Sequence, residues 1–355
     1  MKNTATARID LAALRANLAT VRRLCPRSRI MAMVKANAYG HGLVPVARAL
    51  AAADGLAVAR LQEAVDLRDA GLTQRIMLAG SVLDADELAL CSAREIDVTV
   101  HDATSLAAIA AAVSSRPLRV WLKLDSGMHR LGLDPDAFIA ADRLLRDRPG
   151  VRELVHMTHF ASADDADRTV TDRQLAAFSH CHATNPAAPT SLANSAALVT
   201  RPETHGDWVR PGIMLYGAGP PPVRAAGVQP VMTLTASVLA VRPLEVGERV
   251  GYGGCWTSSR PSRLATVGIG YGDGYPRHAP NGTPVWIAGR RAPLAGRVSM
   301  DCIGVDVTDA GPVAVGEDVV LWGPELPAAE VAERAGTIDY ELLTGVGGRV
   351  SRVMR

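Results

Sequence analysis

Between residues 8 and 216 the chain alternates two hydrophobic patterns. Short aliphatic or β-branched runs at Ile30–Val34, Leu56–Ala59, Ile76–Ala79, Asp97–Val100, Leu118–Leu124, Glu153–Thr158, Thr190–Ala193 and Trp208–Leu215 predict buried strands. Between them Leu43–Ala53, Leu61–Ala70, Ala103–Val113, Pro135–Arg146 and Asp172–Thr184 carry apolar residues at helical spacing, and Asp10 heads a further amphipathic helix near the start. Strands that alternate with helices predict a parallel sheet, and eight is the number that closes a (β/α)8 TIM barrel. A doubly wound open sheet is the alternative, because strand order cannot be read from sequence.

The ends of these runs carry ionisable or polar residues: Lys35, Arg60, His101, Asp125, His159, Asn194 with Ser195, and Arg210. In a barrel all of them open on one face, where such folds place their chemistry. Exposed strand ends are polar in any protein. Lys and His directly after strongly apolar strands are nevertheless costly choices unless something uses them.

The segment Gly217–Pro230 then breaks the pattern with three consecutive prolines and three glycines, which predicts a crossing between domains. Beyond it the apolar residues alternate, as in MTLTASVLAV and RLATVGIGYG, and only Ala328–Ala335 looks helical. The division is residues 1–228 for the barrel and 229–355 for a mostly β C-terminal domain.

Composition removes several classes of function. With 38 basic against 36 acidic side chains there is no electrostatic footprint for nucleic acid or anionic lipid. The longest apolar stretch, Leu106–Val113, is far short of the roughly 20 residues of a membrane span, and the first residues lack a signal-peptide core. Five cysteines, odd in number and without a CxxC pair, do not make a disulfide scaffold. The pairs His156/His159 and His180/His182 have no companion ligands at zinc spacing, so no metal is expected. These features predict a soluble, cytoplasmic protein.

Lys35 follows five apolar residues and precedes a glycine loop, so it is a candidate Schiff-base lysine, although a lone strand-end lysine is also a common surface charge. The string VKANAYGHG around it resembles the pyridoxal-phosphate lysine motif of the alanine racemase family. Further strings follow in the family's order: LKLDSGMHRLG with Lys123 and Arg130, THFASAD with His159 and Asp164, LANSAA with Asn194 and Ser195, and VRPGIMLYG with Arg210, Gly212 and Ile213. In the second domain come VGYGGCWT with Tyr252, GYGDGYPR with Tyr271 and Arg277, GRVSMD with Arg297, Met300 and Asp301, and IDYELLT with Ile338 and Tyr340.

The resemblance implies pyridoxal 5'-phosphate as cofactor and a two-base racemisation of alanine, with Lys35 and Tyr252 on opposite faces of the substrate. Both need tuning, since free Lys and Tyr titrate near about 10. Burial among cations would favour a neutral Lys35, and the family implies a hydrogen-bonded chain from Tyr252 through His159 to Arg210. Arg210 falls where many pyridoxal-phosphate enzymes place a carboxylate against the ring nitrogen; a guanidinium there keeps that nitrogen unprotonated and disfavours transamination. Lys35, Tyr39, His159, Asn194, Ser195, Arg210, Gly212, Ile213 and Tyr340 are the implied cofactor contacts, with Ser195 equally readable as a helix N-cap. Arg130, Met300 and Asp301 are the implied substrate anchors, and Lys123 matches a lysine that many members carry as a carbamate. Asp164, Tyr271, Arg277, Arg297 and Ile338 resemble the route by which substrate enters. Sites in the family are completed by a partner's second domain, which implies a homodimer.

The rivals are a racemase of serine or of broader range, a decarboxylase of the same architecture, and a non-catalytic pyridoxal-phosphate carrier. Arg210 weighs against the decarboxylase, and the second domain has no use in the carrier. Whether D-alanine is made for peptidoglycan or consumed is not written in the sequence.

Overall fold

The computed structural model describes residues 5–112 and 116–355; the last residue of the expected helix Ala103–Val113 lies outside them. Eight strands close a parallel barrel, from Arg29–Met33 through Gly55–Val58, Arg75–Leu78, Ile96–Val100, Leu118–Lys123, Val151–Met157 and Thr190–Ser191 to Trp208–Val209. The last strand pairs with the first, Arg29 opposite Trp208, and Met33 N–H donates beyond it to the Pro211 carbonyl at 2.9 Å. The open-sheet alternative is thereby excluded.

Two expected strands are cut short. Thr190–Ala193 pairs only over Thr190–Ser191, because Asn194 caps the helix that begins at Ser195. Trp208–Leu215 pairs only over Trp208–Val209, since Pro211 has no N–H for the ladder and Ile213–Tyr216 turns into a 3-10 helix. The helix Ala85–Ala93 was not expected, although Asp84 and Glu87 form a capping box that announces it.

Strand alternation fixes the inside of the barrel. Met31, Ala57, Met77, Trp121, Val155, Met157 and Trp208 form its interior cluster, with Trp121 and Trp208 edge to face at 5.7 Å. Arg75 lies over both indoles and its Nε bonds to the buried Asp97. Two residues beyond an inward-facing side chain the next one also faces inward. Lys35 therefore continues the row of Met31 and Met33, Lys123 that of Trp121, His159 that of Val155 and Met157, and Arg210 that of Trp208. Apolar rows below and nitrogenous side chains above are one sequence pattern.

Beyond the barrel stands an eight-stranded sheet centred on the thirteen-residue strand Met232–Leu244. One member comes from the other end of the chain: Ala5–Ile9 pairs antiparallel with Met232–Leu244 and parallel with Ser351–Met354. The expected helix led by Asp10 follows as Leu11–Leu24, with Asp10 accepting from the N–H groups of Ala12 and Ala13. The crossing segment is fixed rather than loose. Asn17 bonds to Leu215 O, Gln229 O and Gln229 N, and Asp339 accepts from Gly219 N–H at 2.6 Å. Asp339 opens a further unexpected helix, Asp339–Gly345, which carries Tyr340 to the barrel mouth. Among the described residues no helix is long and apolar enough to cross a membrane.

Candidate active site

A cavity of about 1390 Å³ opens at the C-terminal ends of the barrel strands. Its floor holds Lys35, Lys123, Arg130 and Arg210, and His159 stands among them. None of the four cations has a carboxylate at ion-pair distance among the described residues. Such a cluster is costly unless anions join it.

The charges act on one another. Burial lowers the pKa of Lys35, Arg130 lowers it further, and Glu63 opposes them. Burial together with Arg210, Arg130 and Lys35 brings Lys123 down to about 8. His159 is held well below its ordinary value, by burial first and by Arg210 next, so its imidazole is neutral.

Arg210 is buried and its terminal nitrogens are occupied. Nη1 donates to Ser191 O and Oγ at 2.8 and 2.6 Å; Nη2 donates to Thr158 O at 2.5 Å and Leu192 O at 3.2 Å, and lies 3.4 Å from His159 Nδ1. Only Nε–H has no protein acceptor among the described residues. Since Arg210 has only donors, His159 Nδ1 is the acceptor, which leaves the proton of the neutral ring on Nε2.

Lys35 opens an unusual turn. Ala36, Asn37, Ala38 and Tyr39 all have φ between 52° and 54°, a left-handed run without a single glycine. Such a backbone costs roughly 1–2 kcal/mol per residue, so the surroundings must hold it. Asn37 Oδ1 accepts from Leu43 N–H at 2.8 Å, and Arg352 Nε donates to Gly40 O at 2.6 Å. A side chain at position 40 would meet Leu343 O, so Gly40 is required where the turn touches the second domain.

The turn brings Tyr39 to Ser195 and Gly212. Asn194, not Ser195, is the N-cap: its side chain accepts from Ala197 N–H at 3.0 Å, and its amide donates to Phe160 O. Ser195 Oγ accepts instead from Gly212 N–H at 2.9 Å and from Met214 N–H at 3.4 Å, so its own proton is free to donate. A Cβ at residue 212 would sit 2.4 Å from the Tyr39 hydroxyl oxygen. Ile213 opens the 3-10 turn, whose first N–H groups lack partners within the turn. Tyr340 reaches in from the second domain, its ring 6.3 Å from that of Tyr39. Burial raises the pKa of both phenols, which keeps them as donors.

Arg130 sits on a loop that Asp125 organises by accepting from the N–H groups of Gly127, Met128 and His129 at 2.9–3.0 Å. Burial raises the pKa of Asp125, but these bonds outweigh it and hold the carboxyl below its usual range. The Asp-Ser-Gly string after a strand is a turn signal, and it marks this role in the sequence. Asp164 and Ile338 lie on the cavity rim.

The remaining expected site residues do not line this cavity. Tyr252 is 72% exposed and Met300 52%, both on the second domain. Their loops adjoin: Tyr271 N–H donates to Ser299 O, Gly272 N–H donates to Met300 O, and Gly251 lies against the Arg297 backbone. Asp301 pairs with Arg349 at 2.6 Å, and Arg277 is exposed beyond the Tyr271 turn. One chain thus carries a cationic cavity and, apart from it, an exposed patch bearing Tyr252.

The donor set fits pyridoxal phosphate. The Ser195 hydroxyl proton and the Ile213 N–H beside a glycine suit a phosphate ester, an amine made less basic suits imine chemistry, and the lone Nε–H of Arg210 suits a ring nitrogen that only accepts.

Comparison with known proteins gives a consistent result. The model for the alanine racemase N-terminal domain matches residues 9–220, and that for the alanine racemase C-terminal domain matches 231–354. An alanine racemase of Shewanella baltica is 48% identical over 349 residues, 97% of either chain. The solved biosynthetic alanine racemase of Pseudomonas aeruginosa superposes over 100% of both chains with a TM-score of 0.95 at 46% identity. That of Acinetobacter baumannii does so with 0.94 at 39%.

Proposed function

The chain belongs to the alanine racemase family and racemises alanine, and from that premise we propose that it does so with pyridoxal phosphate held on Lys35 and with Tyr252 of a partner subunit as the opposite base. When bound, pyridoxal phosphate supplies a sink that makes the Cα–H of an attached amino acid acidic. Everything else falls to the chain's own residues.

Ser195, Gly212, Ile213 and the Tyr39 and Tyr340 hydroxyls would hold the phosphate, and Arg210 Nε–H would face the ring nitrogen without yielding a proton to it. Arg130 receives the substrate carboxylate, together with Met300 N–H and the Asp301 loop of the partner subunit. Lys35, kept less basic by burial, takes or returns the Cα proton on one face. Tyr252 of the partner subunit does the same on the other. His159 supports it by donating from Nε2, which favours the phenolate. Lys123 as a carbamate would lie between cations it now repels and would steady Arg130. Asp164, Ile338, Tyr271, Arg277 and Arg297 frame the way in. Likeness to the biosynthetic alanine racemase of Pseudomonas aeruginosa favours supply of D-alanine over its consumption.

The observation that carries this reading is the convergence of Lys35, Arg210 and the Ser195–Gly212 donors on one cavity at the barrel mouth. Reduction of the holoenzyme with borohydride followed by peptide mapping should place a pyridoxyl label on Lys35. A label on any other lysine overturns the assignment.

A further inference from the structure

The left-handed turn from Ala36 to Tyr39 presents its carbonyls where a right-handed helix would not, and one imidazole collects two of them. His41 Nδ1 lies 3.1 Å from Ala38 O and 2.8 Å from Tyr39 O. Facing two acceptors, Nδ1 carries the proton, and Nε2 is the bare nitrogen; it is buried without a partner. The ring sits 4.6 Å from that of Tyr216, which stacks at 4.7 Å on Tyr39 and donates its hydroxyl to Met33 O at 2.9 Å, two residues before Lys35. Asn37, Glu63 and Arg352 hold the entry and exit of the turn. His41 is the side chain that reaches its middle.

We propose that His41 is a positioning residue: as a neutral imidazole donating through Nδ1, it locks the left-handed turn and thereby sets the Lys35 amine and the Tyr39 hydroxyl where the cofactor needs them. The proposal rests on the reading that Lys35 and Tyr39 bind pyridoxal phosphate. The ring stays neutral at ordinary pH, because burial, against the pull of the two carbonyls and with help from Arg352, brings its pKa to about 4. A protonated Nε2 would have nowhere to donate.

Asparagine carries an amide nitrogen where histidine has Nδ1, whereas leucine has the same shape without a donor. His41→Leu and His41→Asn are compared with the wild type in two measurements. One is the affinity of the apoprotein for pyridoxal phosphate, by absorbance titration. The other is hydrogen exchange of the peptide spanning 35–42 in the apoprotein. His41→Leu should bind roughly tenfold more weakly, the scale of one lost hydrogen bond, and exchange faster across 35–42 but not across the other barrel strands. His41→Asn should stay within about threefold of wild type. Wild-type affinity and exchange in His41→Leu overturn the proposal, and so does an equal loss in both variants, which would make His41 a matter of ring packing. Should His41→Leu not fold, His41→Gln, whose amide reaches the place of Nε2 instead, is judged by the same outcomes. If wild-type protein carries no label on Lys35, the cofactor reading fails, while the exchange comparison still decides whether His41 holds the turn.

Discussion

Lys123 and Arg210 show how the charge on the cavity floor can be used. At a pKa of about 8 an appreciable part of Lys123 is free amine near neutrality, and a free amine adds carbon dioxide. The carbamate formed would exchange repulsion from Arg130 and Arg210 for attraction. Enzyme equilibrated with carbon-13 bicarbonate should therefore show a carbamate resonance that Lys123→Met lacks. The sign of its pH dependence follows: protonation removes the nucleophile, so the resonance should fade as pH falls from about 8 towards 6. A resonance that grows in acid would refute the assignment. Arg210 makes a separate prediction. Arg210→Glu places an acid where Nε–H stood, so a ring nitrogen could be protonated there. Racemisation should fall by about 100-fold or more, the scale of losing one aimed donor, while slow release of pyruvate from alanine appears, up to one equivalent per site because the amino group would pass to the cofactor. Wild-type turnover without pyruvate would rule out Arg210 as the residue that sets this chemistry.

Elements explain why some of this was legible and some was not. Period-two alternation carries Lys35, Lys123, His159 and Arg210 to one mouth, so their convergence could be anticipated from the ends of apolar runs. The turn after Lys35 could not be. KANAY has the composition of an ordinary helix, and its left-handed backbone is held by His41 just beyond it and by Arg352 and Leu343, which tertiary structure brings there. The cap of the helix Ser195–Thr200 was open in sequence for a similar reason: Ser and Asn both cap well, and only the fold shows that Asn194 caps while Ser195 Oγ is engaged with Gly212 and Met214. Asn194→Ala should cost about 1 kcal/mol as a lost cap, read as a fall of a few degrees in Tm. It should also weaken cofactor binding, because Asn194 fixes both Ser195 and the Phe160 carbonyl beside His159. An unchanged Tm would show that the helix start does not depend on this cap.

At the scale of the whole molecule the chain is divided differently from its linear order. Ala5–Ile9 is too short for its alternation to stand out, yet it lies between Met232–Leu244 and Ser351–Met354, so described strands near both ends of the chain belong to the second sheet. The consequence for function is that Lys35 and Tyr252 lie on units whose faces do not meet around one cavity within a chain: Lys35 lines it and Tyr252 is exposed elsewhere. Motifs announce both residues, and only through the family resemblance do they imply that a partner's second domain completes each site. The proposed two-sided proton transfer needs them together, which a second copy can provide. Tyr252→Phe keeps the ring and removes the proton carrier; Lys35→Ala removes the amine and leaves the barrel core untouched. Each variant alone should be inactive while still forming the proposed dimer. In a mixed dimer one of the two sites draws Lys35 and Tyr252 from the unaltered positions of different chains and is complete. With random exchange about half the dimers are mixed, so roughly a quarter of wild-type activity should return if the sites act independently. Exchange can be followed with differently tagged chains, which separates failure to mix from failure to complement. If tagged heterodimers form and stay inactive, Lys35 and Tyr252 must act within one chain, and the exposed patch around Tyr252 would then have to close over its own cavity.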